Sequence, residues 1–214
     1  MNRRKLNQRN SFGLWERWVL QSAIAQIIGL TIVGIASAVV NRMGYIQGIF
    51  TFIGILEGTV LGFTQWLVLR RYIRHSTQWI FATIIGGLLA WFTGLTISVL
   101  MAFTFAGASG NYVNITFIKG LILLGMGIGG VLGFCQWLAI RTQIRYGVWW
   151  IFANAIAWSL GLLVAYFGAG AIEEKLGIQT ALTTVATGGV MGVVIGSITG
   201  IALIWLLKPR LKKS

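Results

Sequence analysis

Glu57 is the only acidic residue inside a long apolar run of this chain, and its position alone suggests chemistry. It stands thirteen residues before Arg70, where a basic cluster begins. On a helix rising 1.5 Å per residue that is about 20 Å, close to mid-membrane. An ionised carboxylate at that depth costs at least ~2.5–3.5 kcal/mol, so the group must be protonated, paired or hydrated. It is either a site of proton or cation coupling or a neutral carboxyl hydrogen-bonded between helices, with Gln26 the expected partner. Gln65 and Gln136 lie about one turn and a half below the cytosolic boundary, and Asn154, Thr83, Gln21 and Gln26 at comparable or slightly greater depth. They would form a small polar cluster open to the cytosol or, more plainly, bond one helix to the next at ~0.6 kcal/mol each.

No catalytic or metal-binding set accompanies these residues. Gly107 to Gly110 reads Gly-Ala-Ser-Gly, similar to the serine motif of rhomboid proteases. That serine needs an intramembrane histidine as base, and the sole histidine, His75, falls in a loop on the opposite side. Glu173-Glu174 is similar to the glutamate pair of CAAX-type intramembrane proteases but lacks the following arginine and any membrane histidine. One cysteine, Cys135, forms neither a disulfide framework nor a metal cluster. The sequence therefore predicts no enzyme, no metal and no cofactor.

The elements that must hold Glu57 follow from composition. Hydrophobic residues make up 57% of the 214 and charged residues 10%, and the mean hydropathy is +0.81, values far from those of soluble domains. Spanning a bilayer takes roughly 20 apolar residues as a helix. Six runs qualify, at about 18–40, 46–69, 79–105, 115–140, 149–172 and 180–207. The expected fold class is thus an all-α integral membrane protein with a cytosolic or interfacial segment 1–17, a six-helix domain 18–207 and a basic tail 208–214.

The net charge of +13 does not point to nucleic acid, because the cations sit in short segments between apolar runs. Fourteen of the seventeen lie before the first run, at Arg70 to Arg74, at Arg141 and Arg145, and in the tail from Lys208; only Arg42, Lys119 and Lys175 lie on the other side. The positive-inside rule then places both termini in the cytosol. Trp15, Trp18, Trp66, Trp79, Trp137, Trp149, Trp150 and Trp205 fall near those boundaries, as an interfacial belt would.

The chain also repeats. A shift of 71 residues lays Gly58 to Ala82 on Gly129 to Ala153, with fifteen of twenty-five positions identical and no gap. A weaker third copy, Gly196 to Lys208, loses the Gln-Trp pair, and Trp18 matches Trp79 and Trp150 as the start of an odd-numbered helix. Three parallel hairpins, 18–69, 79–140 and 149–207, around a pseudo-threefold axis are expected, with Ile128 and Ile195 as the repeat equivalents of Glu57. Glycines recur at four-residue intervals along the even-numbered helices: Gly54, Gly58 and Gly62; Gly125, Gly129 and Gly133; Gly192, Gly196 and Gly200. Such faces let backbones approach closely, as a glycine zipper does. The even helices should form a tightly packed inner layer, with the Trp-led odd helices outside.

The repeat G-x-x-x-G-x-x-Q-W-L-x-x-R, at Gly58 to Arg70 and Gly129 to Arg141, resembles a hairpin unit of uncharacterised bacterial, often cyanobacterial, multi-pass membrane proteins. The resemblance implies a plasma or thylakoid membrane and no particular activity. The leading expectation is a non-catalytic scaffold, assembly or accessory subunit with membrane-protein partners or copies of itself. The alternative is a small-solute or ion transporter working through Glu57.

Overall fold

The computed structural model describes residues 3–43, 49–105, 115–170 and 177–211. They form six helices: α1 (Arg3–Met43), α2 (Ile49–Leu69), α3 (Thr77–Phe105), α4 (Ile115–Ile140), α5 (Trp149–Gly170) and α6 (Ile178–Leu211). All six are long and apolar enough to cross a membrane, which is the architecture expected. The helix α1 begins well before its apolar run, so residues 3–17 continue it. Gly107 to Gly110 and Glu173 to Lys175 lie outside the described residues.

Helices suit this composition because lipid offers backbone groups no partner, and a helix satisfies them within one segment. The hydroxyls do likewise: Thr59, Thr83, Thr93 and Thr199 each donate to the carbonyl four residues earlier. The helices are apolar on every side, so the placing of small residues decides which face meets protein.

The helices form a closed ring in chain order, each touching its two sequence neighbours, with α6 returning to α1. Among the described residues the backbones of α2, α4 and α6 do not approach one another. The spans of the even helices are more buried than those of the odd ones, but they do not form the expected inner layer packed on one another. Each glycine face packs instead on an odd helix. A methyl group on Gly58 would stand 2.8 Å from the Thr83 carbonyl oxygen of α3, and one on Gly62 3.0 Å from Thr83 Cβ. Gly129 is pressed likewise on the Asn154 carbonyl of α5, Gly125 on Ser159, and Gly133 on Asn154 Cβ at 2.9 Å. Gly192 is pressed on Ala23 of α1, and Gly196 on Ser22 Cβ at 2.9 Å. Gly54 and Gly200 face indoles, those of Trp91 and Trp15. The tight pairs are therefore α2–α3, α4–α5 and α6–α1, offset by one helix from the hairpins delimited in sequence.

These contacts differ by one helical turn from the alignment of the third segment expected from the sequence. Gly192, not Gly196, makes the contact that Gly58 and Gly129 make. Thr199 follows Gly192 by seven residues, as Gln65 and Gln136 follow Gly58 and Gly129, and Met191, not Ile195, precedes Gly192 by one, as Glu57 precedes Gly58. Glycines alone could not discriminate, because Gly188, Gly192, Gly196 and Gly200 look the same under a shift of four.

The two described basic turns share five backbone hydrogen bonds at positions 71 apart. Ile73 and Ile144 donate to the carbonyls of Leu69 and Ile140, and Trp79 and Trp150 to those of Ser76 and Gly147. His75 (φ 53°) and Tyr146 (φ 64°) take the same left-handed conformation at positions 71 apart.

Candidate functional site

The end of the ring that carries Arg70, Arg71, Arg74, Arg141 and Arg145 is filled. Trp18, Trp79 and Trp150, 0%, 2% and 0% exposed, meet edge to face, with ring centroids 5.4–6.3 Å apart. Such geometry suits the negative face and positive edge of an indole. Leu14, Leu69, Ile140, Leu203 and Leu207 complete the plug. These tryptophans were expected in the interfacial belt on the outside of the bundle. The structure turns them to its centre instead, where the three indoles meet, and leaves Trp149 and Trp205 about half exposed.

Each buried indole needs an acceptor, and the neighbouring helix supplies it. Trp79 Nε1 donates to Gln65 Oε1 (3.1 Å), Trp150 Nε1 to Gln136 Oε1 (2.9 Å) and Trp18 Nε1 to Thr199 Oγ1 (2.9 Å). Gln136 Nε2 links the set by donating to Gln65 Oε1 (3.2 Å) and Thr83 Oγ1 (3.1 Å). Gln65 and Gln136 are thus brought together, as expected, but they are buried among the plug residues and not open to water. Asn154 does not join them; its Nδ2 donates to the Trp150 carbonyl of its own helix (2.9 Å). Gln21 is partly buried on α1.

Beyond the plug the ring surrounds a half-open cavity of about 280 Å³, walled by residues from all six helices. Leu61 and Leu132 line it toward the plug, and Val33, Ser98 and Ala165 toward the far end. Glu57 and Gln26 both line it. The carboxylate's partner is nevertheless Trp91 of α3, whose Nε1 donates to Glu57 Oε2 at 2.7 Å. The other oxygen lies against Gly29 of α1, where a methyl group would be 3.0 Å from Oε1. Gln26 is a neighbour on the wall and not the expected partner.

Glu57 is the sole acidic residue of this lining, which contains no Lys, Arg or His. Of the described cations with defined side chains, Arg17 is exposed within α1 and the others are near helix ends or in turns. Among the described residues no three of His, Cys, Asp and Glu come together. Two lining residues, Trp91 and Trp158, escaped the sequence reading. Their signal was that, of ten tryptophans, they are the two in mid-span.

No protein-family model, curated protein or solved structure matches the chain.

Proposed function

We propose that this protein is a non-catalytic multi-pass membrane protein that binds a small solute in its central cavity and passes it across the bilayer, with Glu57 as the anchoring group. The observation that carries this reading is a cavity walled by all six helices, holding one carboxyl and stopped at the basic end by a plug. A mid-membrane carboxyl facing a cavity is costly unless it serves a pathway or a ligand. The glycine faces, which an assembly or accessory subunit would offer to partners, are spent inside this chain. That weighs toward transport over scaffolding.

In this reading the six helices are three copies of a helix–basic turn–helix unit about a pseudo-threefold axis normal to the membrane. The copies are α2–α3, α4–α5 and α6–α1, the last divided between the two ends of the chain. Matching glycine contacts, matching turn hydrogen bonds and the three indoles near the axis support it. Glu57, with Ile128 and Met191 at its equivalent places, breaks the symmetry. The charge distribution supports cytosolic termini in a plasma or thylakoid membrane. The lipid bilayer is the surrounding partner, and nucleic acid is not one.

The test is whether the cavity is wet. With Cys135→Ala as background, Ser98→Cys should react with a water-soluble maleimide in proteoliposomes, and Gln136→Cys, within the plug, should not. An unreactive Ser98→Cys in folded protein means a dry cavity and sinks the proposal. A stoichiometric partner co-purified from native membranes would instead favour the accessory-subunit reading.

A further inference from the structure

We propose that the solute is a small organic cation, a monovalent ammonium with an apolar body, seated against Glu57 beside the indoles of Trp91 and Trp158. This rests on the solute-binding reading above and adds the chemical class.

Charge is the first argument. A carboxyl in apolar surroundings is either protonated or in need of a counter-charge, and a ligand that brings the counter-charge stabilises the ionised form. The cavity lining supplies no cation of its own. The Trp91 N–H occupies one acceptor position of a carboxylate that has about four. The remaining positions, with Oε1 turned toward α1, can face the positive charge of an ammonium.

The walls narrow the class further. Trp91 and Trp158 line the same space, and an indole attracts a desolvated cation by roughly 2 kcal/mol. Leu61, Ile128, Leu132 and Met191 make the rest apolar. A bare divalent metal would need about six oxygen ligands, and the lining side chains offer only those of Glu57, Gln26 and Ser98. An anion would face Glu57 with no opposing charge. A neutral apolar molecule would fit but would draw nothing from the carboxylate. The volume, about 280 Å³, lies just below the ~300–1,000 Å³ typical of pockets for drug-sized ligands.

The experiment compares charge at constant shape on the full chain in lipid nanodiscs. Choline and tetraethylammonium are titrated against 3,3-dimethylbutan-1-ol, the uncharged analogue of choline, by calorimetry and thermal unfolding. At least one cation should bind ten-fold or more tighter than the alcohol and raise the unfolding temperature. Glu57→Gln, which keeps the volume and the acceptor for Trp91, should weaken cation binding at least ten-fold and leave the alcohol unchanged.

Equal binding of choline and its neutral analogue, binding of neither cation, or cation binding unaffected by Glu57→Gln would overturn the inference. Stabilisation by sodium alone would overturn it too. Each of these failures is compatible with a reactive Ser98→Cys, which keeps the solute reading alive; an unreactive Ser98→Cys removes both. Should Glu57→Gln fail to fold, the wild-type comparison of choline with its analogue still decides.

Discussion

At the scale of single residues, the polar groups of this protein divide by what they are bonded to. Gln136 makes three side-chain hydrogen bonds in a space from which solvent is excluded, while the neighbouring Ser22 Oγ, equally buried, has no partner. Replacing Gln136 by Leu removes all three bonds and strands the Trp150 N–H, which should cost about 1–3 kcal/mol. Ser22→Ala removes a group that makes no bond, and should be neutral or slightly stabilising. Reversible unfolding in mixed micelles measures both, and equal effects of the two substitutions would refute the division. The sequence marked Glu57 and the two glutamines as the side chains to watch, because polar groups in apolar runs are conspicuous. It missed the Glu57–Trp91 bond, which depends on how α2 and α3 are rotated about their axes, and apolar helices carry no periodic signal for that rotation.

At the scale of elements, the glycines do the work that an apolar stripe does in a soluble bundle. Helix association in lipid lacks a hydrophobic drive and depends on close backbone approach. Gly192 sits against the backbone of Ala23, whereas a methyl group on Gly130 would meet nothing within 4 Å. Gly192→Ala should therefore destabilise by about 1–3 kcal/mol through overpacking. Gly130→Ala should be neutral or gain up to about 1 kcal/mol from helix propensity. Thermal unfolding in one detergent compares them, and similar midpoints would mean that the glycine seams do not hold the ring. Six spans were legible because length and apolarity suffice for them. The glycine faces were legible as well, but not what they face: an inner layer of even helices and a ring of even–odd pairs use the same glycines. Trp18, Trp79 and Trp150 misled for a related reason, since a tryptophan near a helix end suits a lipid interface and a central plug equally well.

At the scale of the whole molecule, the α6–α1 seam joins the two ends of the chain at the same end of the ring, with Trp15 Nε1 donating to the Ser197 carbonyl (3.3 Å) and Trp18 to Thr199. A circular permutant that begins at Thr77, ends at Ser76 and joins Ser214 to Met1 through a flexible linker should insert and fold. Its elution volume should match the parent's, with an unfolding midpoint lowered by only a few degrees. Aggregation of that permutant would count against the division into α2–α3, α4–α5 and α6–α1. The same seam also sets an order in time. Between the end of α1 at Met43 and the start of α6 at Ile178 lie about 135 residues, which a ribosome adding about 5–20 residues per second completes in roughly 7–27 s. Through that interval Ser22 and Gln26 of α1 lack the helix against which they finally pack. The growing chain must shelter them in the insertion machinery or against its own α2, so α1, made before the other five helices, is among the last of the six to reach its place.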